Sequence, residues 1–268
     1  MIKLVALDID DTLLNSVGQI TTQTKKSLQN LLQQGVKIVL CSGRPLAGVS
    51  PFLQDLGLHG DNQYVITNNG AIIETVSGSI LQRQTLDNQV YRQFVDFVTS
   101  NKMPYYVLDD QSRVITSDRD INRIAVVQAY ENSAGIYQRT PDELPADFEI
   151  TKAAIVGEKE ELDNYEPLVK KTFGDIGYVV RAGKNFLDLM HQNVNKGSGL
   201  KLLTDILNIS PDEVMVFGDE QNDLPMFDFA GTAIAMGNGT ELVKSHATYV
   251  TDSNDNEGIA HAIAKFFI

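Results

Sequence analysis

The chain has 268 residues, of which 43% are hydrophobic and 21% charged, a composition typical of a soluble globular protein with one large domain or two smaller ones. Its formal net charge of −13 disfavours nucleic acid and anionic membranes as partners, although cations inside a cleft could still bind a small anionic substrate. Because Cys41 is the only cysteine and Asp8 interrupts the first apolar run too early for a signal peptide, we expect a cytoplasmic protein without disulfides.

The first third of the chain alternates short apolar strands with helices. Thr21 fits the N-cap of a helix over 22–34, and Pro45 opens a second helix that ends near Gly57. Asn69-Gly70 predicts a hairpin turn. The apolar runs predict strands at residues 2–8, 36–41 and 64–67.

The last third alternates in the same way. The predicted elements are a helix over 196–207, a strand over 214–217, a short helix after 223, a strand over 232–235, a helix from about 240, a strand over 248–250 and a helix over 258–267. Strand–helix alternation in both outer thirds predicts an α/β core with a Rossmann-like, doubly wound parallel sheet.

The middle of the chain, residues 84–188, interrupts this alternation with hairpin-like strand pairs. We predict helices near 88–100, 121–131 and 159–173, and strands at 105–108, 113–117, 153–156, 178–181 and 186–190. This pattern predicts a mixed or antiparallel sheet in an inserted α+β domain. The chain would then divide into a core over 1–83 and 189–268 and an insert over 84–188.

Four polar loops follow or flank core elements. They are Asp8-Ile9-Asp10-Asp11-Thr12, Ser42-Gly43-Arg44, Asn195-Lys196-Gly197, and Gly218-Asp219 through Asn222-Asp223. Because loops after parallel strands share one rim of the sheet, these groups can converge there. Asp8 and Asp10 should point the same way on an extended backbone, and two such carboxylates need a cation between them or a shared proton.

The chemical types in these loops complement one another. Asp8, Asp10 and Asp219 offer oxygen ligands for Mg²⁺, Ser42 offers a hydroxyl, and Lys196 offers a positive charge beside a helix N-terminus. Phosphoryl transfer needs such parts, because its catalysis is mostly positioning and charge stabilisation. The alternatives are an ordinary polar turn after the first strand, and helix capping by Asp219 and Asp223.

The four loops, in this order, resemble the motif set of the haloacid dehalogenase (HAD) superfamily. The stretches 235–239 and 251–258 are similar to its Cof-type branch, whose members mostly hydrolyse small phosphorylated metabolites. The 153 residues between Ser42 and Lys196 (196 − 42 − 1) resemble the large α/β cap that this branch inserts between its second and third motifs. The fold class implied is therefore a HAD-like core with an inserted cap.

The resemblance implies a role for each matched position. Asp8 would be the nucleophile that forms an aspartyl-phosphate, and Asp10 would protonate the leaving alcohol and then activate water. The other implied roles are phosphate binding by Ser42, Gly43, Lys196 and Asn222, and Mg²⁺ binding by Asp8, the Asp10 carbonyl and Asp219, with Asp223 either supporting the metal or orienting Lys196. Lys196 would thus also belong to the catalytic set.

Three positions carry no assigned role. Asp11 stands where the family usually has glycine, so the loop backbone must accept a side chain there, in a conformation that Asp tolerates better than most residues. Arg44 would either bind a core acid or contact substrate. His191 is predicted to follow the last cap strand in a linker, with a position on the rim of the pocket as the alternative.

These observations predict a Mg²⁺-dependent phosphatase acting on small phosphate monoesters such as sugar phosphates, as a monomer or weak homodimer. One alternative is a phosphotransferase or mutase on phosphorylated sugars, although mutases that resemble this superfamily carry an earlier cap. Another is a protein that binds a phosphorylated metabolite without turning it over. Dehalogenation is disfavoured because it does not need a second acid at Asp10.

Overall fold

The computed structural model describes residues 1–267 and builds two sheets from separate parts of the chain. The N-terminal elements are β1 (Leu4–Leu7), α1 (Thr22–Gln33), β2 (Lys37–Cys41), α2 (Leu46–Leu56), β3 (Tyr64–Thr67), β4 (Ile72–Thr75) and β5 (Ile80–Arg83). The middle elements are α3 (Asn88–Ser100), β6 (Tyr105–Leu108), β7 (Val114–Thr116), α4 (Arg123–Glu131), β8 (Ile136–Gln138), β9 (Lys152–Val156), α5 (Lys159–Phe173), β10 (Gly177–Arg181) and β11 (Phe186–His191). The last elements are α6 (Lys196–Leu207), β12 (Val214–Gly218), α7 (Leu224–Phe229), β13 (Thr232–Ala235), α8 (Glu241–His246), β14 (Tyr249–Val250) and α9 (Gly258–Phe266).

The core sheet has the order β14-β13-β12-β1-β2-β3-β4-β5. Its strands from β14 to β3 are parallel, which confirms the predicted α/β class. The predicted turn at Asn69-Gly70 joins β3 to β4, and β4 and β5 extend the sheet in antiparallel pairing. The sequence analysis did not include these two strands.

Helices cover both faces of the core sheet, which makes it doubly wound. On one face Val5 and Leu7 of β1 belong to the same apolar cluster as Leu28 of α1. On the other face Leu4 and Ala6 pack in a cluster with the apolar side of α6. Because β1 is buried on both faces, the polar side chains of this region lie in the loop that follows Leu7, at the carboxyl end of the strand.

The second sheet has the order β10-β11-β9-β6-β7-β8, antiparallel except for the parallel pair β7–β8. The apolar side chains of α3 and α5 pack on one face, and those of α4 pack on the other. This arrangement is the α+β insert that we call the cap. Strand β11 runs to His191, so the boundary after 188 falls inside a strand, and we propose to place the end of the cap after 191.

Capping side chains fix the starts of α1 and α6. Thr21 accepts a hydrogen bond from the Thr24 N–H at the start of α1, as predicted. At the start of α6, Asn195 accepts from the Ser198 N–H, and the Ser198 hydroxyl accepts from the Asn195 N–H. Within residues 1–267, no helix is both long and apolar enough to span a membrane.

Candidate active site

The loop after β1 carries the first acids of the site. The Asp8 N–H donates to the Phe217 carbonyl of β12 at 3.1 Å, which continues the sheet pairing by one residue. Asp10 is extended, with φ −72° and ψ 130°, whereas Asp11 is left-handed, with φ 57° and ψ 5°. The predicted conformation of Asp11 is therefore confirmed, because the left-handed region is where Asp and Asn are enriched among non-glycine residues.

Lys196, the first residue of α6, joins two carboxylates beneath the loop. Its Nζ donates to Asp8 Oδ1 at 2.5 Å and to Asp223 Oδ1 at 2.7 Å, and all three side chains are buried. Asp223 Oδ2 accepts the backbone N–H groups of Asp219 and Glu220, at 2.9 and 3.1 Å. Because both oxygens of Asp223 are occupied, this geometry favours the orientation of Lys196 over direct metal binding by Asp223.

Three carboxylates form a compact cluster around this lysine. One oxygen from each of Asp8, Asp219 and Asp223 lies within 4.8 Å of the others, and the Thr12 hydroxyl donates to Asp219 Oδ1 at 2.7 Å. Three acids against one ammonium leave an excess of negative charge, which a divalent cation would balance. Hard oxygen donors of this kind suit Mg²⁺, so the residues present fit the metal that the sequence analysis expects.

Burial dominates the electrostatics of the cluster. Burial, with added repulsion from Asp223 and Asp10, raises the pKa of Asp8 to about 7, against the opposing attraction of Lys196. Burial and the negative charge of Asp8 likewise raise the pKa of Asp219 above its usual range. Burial alone would lower the pKa of Lys196, but Asp223 and Asp8 raise it above its ordinary value, so the lysine stays charged.

Asp10 points toward the cap rather than into the carboxylate cluster. Arg44 holds it with two hydrogen bonds, Nε to Oδ2 at 3.0 Å and Nη2 to Oδ1 at 2.5 Å. The same guanidinium reaches Glu131 at the end of α4, with Nη1 3.4 Å from its carbonyl oxygen and Nη2 3.6 Å from Oε2. Of the two roles considered for Arg44, the ion pair with a core acid is confirmed. The Asp10 carboxylate is thus engaged away from the cluster, and only its carbonyl remains a candidate metal ligand.

The predicted phosphate-binding residues divide into two groups. Gly43 and Asn222 line a cleft of about 220 Å³ between core and cap, together with Asp8, Asp10 and Asp219. Ser42 is buried behind this wall, and its Oγ accepts the Arg44 N–H at 3.1 Å. Lys196 is also buried, and it reaches the cleft wall only through Asp8.

The sequence analysis missed a set of residues on the cap side of the cleft. Lys152 and Asp188 line it and form an ion pair at 3.1 Å, and Asn69 Nδ2 donates to Asp188 Oδ2 at 2.9 Å. They carry no motif, and only tertiary packing brings them together. The linker predicted at His191 is wrong, because His191 is the last residue of cap strand β11, where its Nδ1 accepts the Asn193 N–H.

The chain belongs to the haloacid dehalogenase-like hydrolase family, whose sequence pattern matches residues 5–263. The resemblance drawn from the four loops is therefore confirmed. A curated relative, the putative phosphatase YxeH of Bacillus subtilis, is 34% identical over 269 residues, which covers 100% of this chain and 99% of the relative. A second B. subtilis relative, 5-amino-6-(5-phospho-D-ribitylamino)uracil phosphatase YwtE, is 25% identical over 97% of this chain and 96% of its own length.

A solved structure supports the fold over the whole length. A haloacid dehalogenase-like hydrolase from Bacteroides thetaiotaomicron superposes with a TM-score of 0.86 at 29% identity, and the match covers 100% of both chains. Family and relatives together confirm the predicted enzyme class, a phosphoric monoester hydrolase. The substrates of such enzymes are small phosphorylated metabolites.

Proposed function

We propose that this chain is a Mg²⁺-dependent phosphatase that hydrolyses small phosphate monoesters, sugar phosphates among them, through an aspartyl-phosphate intermediate. The observation that carries the proposal is the buried Asp8 carboxylate, which lines the cleft while Lys196 Nζ holds its Oδ1 at 2.5 Å. A carboxylate fixed by a buried cation is positioned as a nucleophile whose orientation costs no further ordering during the reaction.

The proposed reaction has two steps. A carboxylate oxygen of Asp8 attacks phosphorus, the bond from phosphorus to the alcohol oxygen breaks, and Asp10 gives its proton to that oxygen. Asp10 then takes a proton from water as the water oxygen attacks phosphorus and the bond from phosphorus to the Asp8 oxygen breaks, which releases phosphate and regenerates the Asp8 carboxylate. The Asp10 side chain is 53% exposed on the cleft, where a leaving alcohol and then a water molecule can reach it.

The remaining groups stabilise charge and position. Lys196 stays protonated between Asp8 and Asp223 and offsets the negative charge that accumulates as phosphate approaches a carboxylate. Asp8, Asp219 and the Asp10 carbonyl would hold Mg²⁺, which supplies positive charge against the phosphoryl oxygens. Gly43 and Asn222 line the same cleft, where they can donate hydrogen bonds to phosphate.

The cleft size and a relative's name support a small substrate. A volume of about 220 Å³ accommodates a phosphorylated metabolite rather than a macromolecule. The relative YwtE is named as a phosphatase of a compound that carries a phosphorylated ribityl chain. The absence of nucleic-acid and membrane partners, the cytoplasmic location and the monomeric or weakly dimeric state remain predictions from the sequence.

The test is phosphate release from a panel of sugar and polyol phosphates, measured with Mg²⁺ and again with a chelator. We expect turnover with Mg²⁺, its loss with chelator, and at least about a thousandfold loss of kcat in Asp8→Asn, because the nucleophile is removed. Asp96→Asn, an exposed acid of the cap helix α3, is the matched control and should behave as wild type. Full activity in Asp8→Asn would contradict the mechanism. Recovery of the phosphoryl group on a second alcohol would point to the phosphotransferase alternative, and tight binding without turnover would point to the binding-protein alternative.

A further inference from the structure

The cap contributes a buried ion pair to the cleft. Lys152 begins β9 and Asp188 lies in the neighbouring strand β11, and their side chains are 4% and 0% exposed. Replacing such a pair by well-packed apolar residues is commonly neutral or stabilising, because removing two charges from water costs about as much as their attraction returns. A buried pair on a cleft wall therefore suggests a role other than stability.

The pair leaves hydrogen-bonding capacity unused. Asp188 Oδ2 accepts from both Lys152 Nζ and Asn69 Nδ2, but Asp188 Oδ1 is buried and has no hydrogen-bond partner among residues 1–267. Besides Asp188, the Lys152 ammonium approaches the Gly43 carbonyl oxygen, at 3.4 Å, and an ammonium has three hydrogens to donate. One acceptor and one donor are thus available side by side.

The pair adjoins the place where phosphate would bind. Lys152 reaches Gly43 in the loop after β2, and Asp188 connects through Asn69 to Asn222, whose Nδ2 donates to Asn69 Oδ1 at 3.1 Å. Both residues line the cleft that Asp8 and Asp10 also line. A phosphate on Asp8 would therefore extend its alcohol portion along this cap wall.

The chemistry of the pair selects one kind of group. A second anion would gain from Lys152 but would be repelled by Asp188, and an apolar group would leave the buried Asp188 Oδ1 unsatisfied. A hydroxyl both donates and accepts, so it can donate to Asp188 Oδ1 and accept from Lys152 Nζ at once. We propose that Lys152 and Asp188 form a subsite that binds a hydroxyl of the substrate's alcohol portion and so selects polyhydroxylated phosphate monoesters.

This inference rests on the proposed phosphatase function and goes beyond it by assigning the selection of substrate to two cap residues. The competing explanation is that the pair only docks the cap on the core through Asn69. The docking role and the hydroxyl subsite predict different dependence on the substrate. A docking role affects every substrate alike, whereas a hydroxyl subsite affects only substrates that carry the hydroxyl.

The experiment uses the full chain with both partners replaced together. Lys152→Met/Asp188→Leu avoids leaving an unpaired buried charge, and Lys201→Met/Asp205→Leu, an exposed lysine–aspartate pair on α6, is the matched control. Activity is measured as kcat/KM on the best sugar phosphate of the panel and on 4-nitrophenyl phosphate, which has no hydroxyl. Thermal unfolding of each variant reports whether it folds, and Asp188→Asn serves as a second, more conservative variant.

We expect the double variant to lose roughly 10- to 100-fold in kcat/KM on the sugar phosphate, the magnitude of a hydrogen bond to a charged group, and to keep its rate on 4-nitrophenyl phosphate. Asp188→Asn should shift the ratio of the two rates in the same direction. Equal losses on both substrates, no loss on either, or a wild type that turns over only the aryl phosphate would overturn the subsite. The proposed function fails separately, if wild type releases phosphate from neither substrate or if Asp8→Asn remains active.

Discussion

Asp11 provides a test of the site's local backbone, because its side chain can be changed while the loop holds its left-handed conformation. Its φ of 57° lies in the left-handed region, and its carbonyl oxygen accepts a hydrogen bond from Asn238 Nδ2 at 2.8 Å. That contact uses the backbone and survives any substitution. Three variants, Asp11→Gly, Asp11→Asn and Asp11→Ala, therefore differ in how well their residue tolerates this conformation, while the hydrogen bond from Asn238 to the loop is kept.

The expected order of stability follows from the cost of the left-handed region. For most L-residues that region costs about 1–2 kcal/mol, whereas glycine carries no such cost and Asn tolerates it well. Partial burial and the neighbouring acids Asp10 and Asp255 also raise the pKa of Asp11, so its ionised form is disfavoured in the folded protein. We expect Asp11→Gly and Asp11→Asn to equal or exceed wild type, and Asp11→Ala to unfold with about 1 kcal/mol less free energy than Asp11→Gly.

The measurement is thermal unfolding of the three variants beside wild type. A difference of about 1 kcal/mol corresponds to roughly 2–4 °C in Tm for a chain of this size. Phosphate release should stay within roughly two- to threefold of wild type in Asp11→Asn, because Asp11 is given no part in the chemistry. Equal Tm values for Asp11→Ala and Asp11→Gly would refute the conformational argument, and a large loss of activity in Asp11→Asn would refute the absence of a role.

Three further substitutions test the supports of the site. Lys196→Met should lower the free energy of unfolding by about 3–5 kcal/mol in chemical denaturation, because it leaves buried carboxylates without their cation. Thr12→Val, which removes the donor to Asp219, should raise the Mg²⁺ concentration for half-maximal phosphate release by about 10-fold or more, and unchanged metal dependence would count against Asp219 as a ligand. Gly197→Ala should destabilise, contrary to the usual gain of about 1 kcal/mol in a helix, since its Cβ would lie 2.1 Å from the Pro225 carbonyl oxygen. A rise in Tm for Gly197→Ala would contradict that packing.

Much of the fold could be predicted because local signals agree with the tertiary structure. The apolar runs of β1 and β12 reflect strands that are buried on both faces, where the sequence has little freedom, and the N-cap at Thr21 is a local signal that the fold keeps. Two of the missed strands, β5 and β8, lack that constraint, whereas the missed strand β4 is buried along its whole length. Strand β5 is largely exposed, and β8 is a partly exposed edge strand of three residues, so neither produces a clear hydrophobic pattern.

The site residues likewise divide into those that the sequence predicts and those that only the structure identifies. Asp8 and Lys196 belong to loops whose residue types indicate their chemistry, so both could be predicted from the sequence as candidate catalytic residues. The partner of Asp10 could not be fixed there, because Arg44 had an equally reasonable alternative as a substrate contact. Lys152 and Asp188 look like ordinary polar residues in cap strands, and only their burial and pairing in the folded chain distinguish them.

Two of the contacts between cap and core connect the residues proposed for substrate selection to those proposed for the chemistry. Arg44 joins Asp10 of the core to Glu131 of the cap, and Asn69 of the core donates to Asp188 of the cap. Each of these contacts has one partner in the core and one in the cap, so it joins the two domains at the cleft. Asp10, which is proposed to handle the proton, and Lys152 and Asp188, which are proposed to face the alcohol portion of the substrate, are therefore held in position together.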